Sequence, residues 1–256
     1  MRARITEIAS TAQESPSAWE SRSASCRRHG EKLSEKAADY FAGLHATASI
    51  PAQYAVERRQ WTEAARLPAP SGFPGGRYAW ADAAIYFARA LGAARSGQLD
   101  QARHDVERLG LLQKTLAEHR EDYWAGRVEV QHRAAQAWLA FADRHHEQAL
   151  DQMREAAALE DRADKHPVTP GQIVPARELL GQMLLELDRP AEALAEFDAV
   201  RKSEPSRFGA LFGAARAAER AGQAQKAREL YAALVAMAPD SQREEVRHAR
   251  EFSRAR

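Results

Sequence analysis

The sequence has a single cysteine, Cys26, among its 256 residues. One thiol can neither form a disulfide within the chain nor build a cysteine-based zinc site. No apolar run approaches the roughly 18–20 residues that a membrane-spanning helix needs. The first 30 residues are polar and lack the apolar core of a signal peptide. We therefore expect a cytoplasmic protein with no membrane partner.

An excess of one charge is also missing. The 37 Lys and Arg residues nearly balance the 36 Asp and Glu residues, which leaves a net charge of +1. Such a chain has no overall field that would recruit nucleic acid. Its arginine-rich end is interrupted by Glu244, Glu245 and Glu251, so we interpret 241–256 as a polar capping helix or tail. We predict no nucleic-acid partner.

Catalytic motifs are absent as well, since the sequence contains no GxGxxG, Walker, GxSxG or HExxH pattern. Cys26 has basic neighbours that can activate a thiol, but we interpret it as an unstructured thiol. His145 and His146 are adjacent, and we interpret them as part of a solvated turn rather than as metal ligands. We predict no enzymatic activity, no cofactor and no metal site.

What the sequence does contain is a repeat with a period of 34 residues, which is typical of helix–turn–helix repeats. Five pairs stand at this offset: Pro205 and Pro239, Ala193 and Ala227, Phe197 and Tyr231, Val200 and Leu234, and Asp188 and Gly222. The apolar spacing predicts four helices, over 176–187, 190–203, 208–221 and 223–237. Pro190 suits a first helical position, and Gly222 suits the left-handed residue that follows a helix.

These spacings carry a family resemblance. The small, small, aromatic and proline positions Gly181, Ala193, Phe197 and Pro205 resemble the tetratricopeptide repeat. The next repeat resembles it nearly as well, through Ala215, Ala227, Tyr231 and Pro239. The resemblance implies an all-α, right-handed solenoid of about five helical hairpins. The chain also resembles bacterial tetratricopeptide proteins that carry a KHPVTPG-like loop before a PARELLG helix, here Lys165–Gly171 and Pro175–Gly181.

Earlier repeats are degenerate. Each repeat, early or late, has an alanine at the position that Ala193 holds in its repeat. These alanines are Ala64, Ala102, Ala149, Ala193 and Ala227. The steps between them are 38, 47, 44 and 34 residues. We predict that the residues beyond 34 lie in loops between hairpins. We expect a flexible arm over 1–30, with a short helix around Ile5–Ala12 as the alternative, and a repeat domain over 31–240.

In the tetratricopeptide family, peptides bind in a concave groove formed by the first helices of the hairpins. The resemblance implies these groove positions here: Ser49, Gln53, Phe87, Leu91, Ala134, Trp138, Glu178, Gln182, Phe212 and Arg216. The Lys/Asn/Arg clamp that binds acidic chaperone tails in one variant is missing, because Phe, Leu, Ala and Trp hold those places. We expect an amphipathic or mildly acidic peptide or partner helix. The competing interpretation is that Phe87, Trp138 and Phe212 pack in the core.

A charged cluster, Glu160–His166, leads into a proline-rich loop over 166–175. One interpretation is a charged helix end followed by a rigid linker. The other is a ligand-binding loop in which Lys165 and His166 face a small molecule or a metal, so that the protein is a sensor or an enzyme. A purely structural role within a larger assembly is a third hypothesis.

Overall fold

The computed structural model describes residues 41–70, 78–163 and 172–254, with side chains from residue 48 onward. The predictions for the arm over 1–30, for Cys26, and for Lys165 and His166 lie outside these residues. The described residues form eleven α-helices and no strand. The helices are α1 Phe41–Glu57, α2 Trp61–Ala65, α3 Ala79–Arg95, α4 Leu99–Glu118, α5 Asp122–Ala142, α6 His146–Arg162, α7 Ala176–Glu186, α8 Pro190–Ser203, α9 Phe208–Arg220, α10 Ala224–Met237 and α11 Glu244–Arg254.

The helices pack mainly on their neighbours in sequence. Four antiparallel hairpins form from α3 and α4, α5 and α6, α7 and α8, and α9 and α10. The second helix of each of the first three hairpins also contacts the first helix of the next one. Both α1 and α2 pack against α3, while α11 packs against α10. The predicted all-α class is confirmed, and the four helices predicted over 176–237 end within one residue of their observed limits.

One turn geometry recurs six times among the described helices. Each of these turns has three residues, and the second of them has a positive φ: Arg59, Gly97, Arg120, Arg144, Asp188 and Gly222. The amide of the third residue donates to the carbonyl five residues back, as Gln223 does to Ala218 at 2.9 Å. This bond satisfies a carbonyl that the helix end leaves free. Asp188 and Gly222, paired by the 34-residue period, therefore occupy the same backbone position.

The packing of the best-defined repeats depends on one aromatic ring. Phe197 is fully buried, and its ring lies between the backbones of α7 and α9. A Cβ at Gly181 would lie 2.8 Å from the ring, and one at Gly213 only 2.3 Å from it. The two glycines therefore make room for the ring between two successive hairpins. The small residue of α9, Gly213, was not among those that the repeat pattern identified.

The prediction that all additional residues between repeats lie in loops is wrong for the longest step. Between Ala102 and Ala149 the extra residues lengthen α4 to 20 residues and α5 to 21, and only 119–121 connect them. This stretch contains no proline, and most of its residues favour helix. The backbone therefore continues as helix, and a three-residue turn reverses it.

The row of hairpins curls back on itself. Arg207, just before α9, forms an ion pair with Glu57 at the end of α1. Arg243, just before α11, donates to the Glu57 carbonyl oxygen at 3.0 Å. The first described helix thus contacts segments that flank the last hairpin. Within the part of the chain that the structure describes, no helix combines the length and apolarity needed to cross a membrane.

Candidate functional site

The residues predicted to line an open groove are mostly covered by the chain itself. Six of the seven main candidates are less than 9 % exposed: Phe87, Leu91, Trp138, Glu178, Gln182 and Phe212. Only Arg216 keeps a partly exposed side chain, 42 % accessible. Ser49 and Ala134 are buried as well, and Gln53 is half-buried. Phe87, Trp138 and Phe212 belong to the hydrophobic core, as the competing interpretation expects, so these side chains form no open groove in this conformation.

Five of these residues lie on the first helices of three successive hairpins. Trp138 lies on α5, Glu178 and Gln182 on α7, and Phe212 and Arg216 on α9. Gln182 donates to Glu178 at 3.4 Å, and the Arg216 guanidinium lies 6.0 Å from the Phe212 ring centre. We call these five residues the inner face. Phe87 and Leu91 are buried separately on α3, the helix against which α1, α2, α4 and α5 pack.

A distant part of the chain contacts the inner face: the turn between α1 and α2 with its flanking residues, 57–61, which we call the resident segment. The Glu57 carboxylate pairs with Arg207, which also pairs with Glu178. The Arg59 guanidinium lies 5.4 Å from the centre of the Phe212 ring, within cation–π range. The resident segment therefore contacts the inner face directly through the Arg59 guanidinium, and the Glu57 carboxylate reaches Glu178 through Arg207.

The third contact of the resident segment is an indole ring. The guanidinium of Arg95, at the end of α3, lies 4.4 Å from the Trp61 ring centre and 4.0 Å from that of Trp138. It also forms an ion pair with Glu186 at the end of α7. Burial lowers the pKa of Arg95, and Glu186 opposes this shift. Arg95 thus joins the resident segment to the inner face as a buried cation between two indoles.

Charges beneath the resident segment compensate one another. Burial raises the pKa of the Glu178 carboxyl, and the adjacent Arg207 guanidinium opposes that rise. Burial likewise lowers the pKa of Arg59, while the charges of Glu178 and Glu245 oppose the change. Each ion here has an opposite charge beside it, as a buried charge requires. Removing one partner would leave an uncompensated charge.

The resident segment leaves several polar atoms of this region unsatisfied. Four buried side-chain atoms have no hydrogen-bond partner in the structure: Arg95 Nε, Arg95 Nη1, Trp138 Nε1 and Gln182 Oε1. They comprise three N–H donors and one amide oxygen. A buried polar group without a partner costs about 1–3 kcal/mol. The inner face together with Arg95 therefore retains hydrogen-bonding capacity that the resident segment does not use.

The α2 helix, which follows the resident segment, is fixed on α3 by its backbone. Arg89 donates to the carbonyl of Leu67, and Gln101 donates to that of Ala65 at 2.6 Å. The close approach depends on Gly92 of α3, where a Cβ would lie 2.4 Å from the Ala65 amide nitrogen. The same Cβ would lie 2.5 Å from the Trp61 carbonyl oxygen, so the last residue of the resident segment is also packed against α3, while Glu57 and Arg59 extend toward α9.

The other candidate sites form no metal cluster. No group of three His, Cys, Asp or Glu residues is placed to hold an ion among residues 41–70, 78–163 and 172–254. His145 is exposed in its turn, and the His146 ring lies 4.9 Å from that of Phe141. His132 lies against Gly110, and burial lowers its pKa. Among the described residues, the structure thus brings no further metal ligands to the 145–146 turn.

At the base of the proline-rich loop, the charged cluster joins two hairpins. Glu160 accepts a hydrogen bond from the Ala176 amide at 2.7 Å, and Asp161 pairs with Arg177. Burial raises the pKa of Glu160 to about 7. These contacts connect the end of α6 to the start of α7. The ligand-binding role of Lys165 and His166 stays a prediction.

Sequence reasoning missed the residues through which the resident segment contacts the site. Arg59, Arg95 and Arg207 are three of many arginines in the chain, and the repeat pattern places none of them in the groove. Their position follows from the curl of the helices, which pairs Glu57 with a residue 150 positions away. Gly92 was the one available signal, since a glycine inside an alanine-rich helix often marks a close backbone approach.

Comparison with known proteins adds no relative. No protein-family model, no curated protein and no solved structure matches the chain.

Proposed function

We propose that this protein is a tetratricopeptide-type helical scaffold that binds a peptide or a partner helix at its inner face. The observation that carries the proposal is the resident segment itself, a helix end and turn that lie on the inner face. A surface that accepts one such segment through a carboxylate, a guanidinium and an indole suits another segment of similar chemistry. Helix-in-groove binding of this kind needs no catalytic group.

The composition of the inner face supports this function. Its aromatic residues Trp138 and Phe212 and its arginine Arg216 belong to the types enriched at interaction hot spots. The atoms without partners on Trp138 and Gln182 offer further hydrogen bonds to a bound segment. A mixed surface of rings and charges fits an amphipathic partner.

The test is capture of interacting proteins from cell extract by two matched charge-reversal variants. Arg216→Glu changes the partly exposed residue of the inner face, whereas Arg228→Glu changes an exposed residue of α10. We expect a partner that binds the wild type and Arg228→Glu but is lost with Arg216→Glu. Circular dichroism should show that both variants are folded. A partner kept equally by both variants would place binding elsewhere on the protein.

A further inference from the structure

The resident segment contacts the surface beneath it through one ion pair and two cation–π contacts, and Trp61 also packs against the hydrophobic core. Its three contacting groups are the Glu57 carboxylate, the Arg59 guanidinium and the Trp61 indole. They are spaced two residues apart along the chain. Such contacts can re-form with another segment that presents the same groups, because they need little reshaping of the surface beneath.

The fit between the resident segment and the surface beneath it is incomplete. Seven buried side-chain polar atoms lack partners in the part of the chain that the structure describes, and four of them belong to Arg95, Trp138 and Gln182. Arg95 also contacts Trp61 of the resident segment, so these atoms lie at the contact between the segment and the surface beneath it. A ligand that satisfied these atoms would gain hydrogen bonds that the resident segment does not make.

The hairpin that carries the resident segment is also weakly buried on its other side. Ile50 and Tyr54 of α1 are 54 % and 38 % exposed, although both are large apolar residues one helical turn apart. The following α2 has only five residues. This hairpin packs mainly against α3, and local opening of one such element needs less free energy than global unfolding.

From these observations we propose that residues 57–61 are a displaceable occupant of the inner face, which blocks it until a partner segment with matching groups replaces them. The partner segment presents a carboxylate, a guanidinium two residues later and an aromatic ring two residues after that. The carboxylate pairs with Arg207, the guanidinium stacks on Phe212, and the ring lies on Arg95. This inference rests on the proposed function, because it concerns the occupancy of the same surface.

The experiment measures binding of a fluorescent peptide with the sequence of residues 48–67 to the full-length protein. In the protein, Glu57→Arg replaces the attraction to Arg207 by repulsion and should release the resident segment. The matched control Glu63→Arg makes the same charge change on α2, where the side chain is exposed. A control peptide carries Ala at positions 57, 59 and 61. Circular dichroism verifies that both protein variants are folded.

We expect Glu57→Arg to bind the peptide at least tenfold more tightly than the wild type, because a tethered competitor has been removed. Glu63→Arg should bind like the wild type, and the control peptide should gain nothing. Hydrogen exchange at the amides of 58–62 should become faster in Glu57→Arg alone. If exchange stays slow, the segment is not displaceable, and the inference fails.

Two other results would also contradict the inference. Faster exchange without tighter peptide binding would mean that the inner face does not recognise these three groups. Equal gains for Glu57→Arg and Glu63→Arg would indicate general loosening of the fold. The proposed function has its own readout in the Arg216→Glu and Arg228→Glu comparison. A partner lost with Arg216→Glu but not displaced by the peptide would leave the function standing and refute this mechanism.

Discussion

At the scale of single residues, the chain places ordinary side chains in a backbone conformation that usually favours glycine. Four of the six left-handed turn residues are Arg or Asp, with φ between 53° and 65°. For such residues this conformation costs about 1–2 kcal/mol. The turns form because the hydrogen bond to the fifth preceding carbonyl and the packing of the hairpins outweigh that cost.

This cost makes Arg144 a site for stabilisation. We expect Arg144→Gly to raise the free energy of unfolding by about 0.5–1 kcal/mol, because glycine adopts positive φ without strain. Gly222→Ala should lower it by about 1 kcal/mol, since a Cβ there meets no atom within 4 Å and only the backbone conformation is penalised. Urea unfolding of both variants provides the measurement. A stability loss in Arg144→Gly would show that its side chain, and not its backbone, matters.

The raised pKa of Glu160 predicts that the stability of the protein depends on pH. Its pKa is about 7 in the folded protein and 4.5 in the reference state, so the folded protein binds the proton more tightly. Stability from this group is fully present below about pH 4.5 and is lost as the pH rises toward and beyond 7. We expect a loss on the order of 2–3 kcal/mol across this window.

The check is urea unfolding at pH 5 and pH 8 for the wild type and for Glu160→Gln. The glutamine keeps an oxygen that can accept the hydrogen bond from the Ala176 amide, but it does not titrate. Its stability should therefore change less between the two pH values. Asp82, whose pKa burial raises to about 6, adds a smaller change of the same sign that should remain in the variant. Equal pH dependence in both proteins would exclude Glu160 as its source.

At the scale of helices, local sequence preferences explain where most helices begin and end. They do not explain why some helices are longer than the repeat predicts. Pro190 begins α8, and Gly222 separates α9 from α10, as the pattern predicts. By contrast, the lengthened α4 and α5 follow from an uninterrupted run of helix-forming residues. The very short α2 is a different case, because its position depends on contact with Gly92 of α3.

Gly92→Ala should displace α2 from α3. The new Cβ would lie within 2.5 Å of the Ala65 nitrogen and the Trp61 oxygen, which are backbone atoms and cannot rotate away. We expect a loss of about 1–3 kcal/mol in unfolding free energy and faster hydrogen exchange over 57–67. Gly126→Ala in α5 is the matched control, since no atom lies within 4 Å of its Cβ. That variant should be neutral or more stable by up to about 1 kcal/mol.

At the scale of the whole molecule, charged residues far apart in sequence connect the two ends of the helical row. Arg207 pairs with both Glu57 and Glu178, and Arg243 donates to the Glu57 carbonyl. The Arg207 side chain is 13 % exposed and that of Glu178 4 %, so water screens this network little. The curl of the protein and the contact of the resident segment with the inner face thus depend on the same residues.

Arg207→Ala should therefore act on both stability and shape. It leaves the Glu178 carboxylate buried without its cation, which we expect to cost about 3 kcal/mol. It also releases Glu57, so the radius of gyration from small-angle X-ray scattering should rise. Lys226→Ala, which removes a more exposed pair with Asp198 at 2.7 Å, should cost less than about 1 kcal/mol and leave the radius unchanged. Equal effects of the two variants would show that Arg207 does not hold the curl.

The helical class and the limits of the helices between 176 and 237 could be predicted from the sequence. These features are local, since propensity, turn residues and a 34-residue period act over one hairpin. The sequence also predicted several residues of the inner face, but as an open groove. The contact of the resident segment with this face could not be predicted, because the contacts around that segment join residues up to 186 positions apart. No local sequence pattern predicts how far a row of hairpins curls. The contacts of Arg59, Arg95 and Arg207 could therefore be identified only in the folded structure.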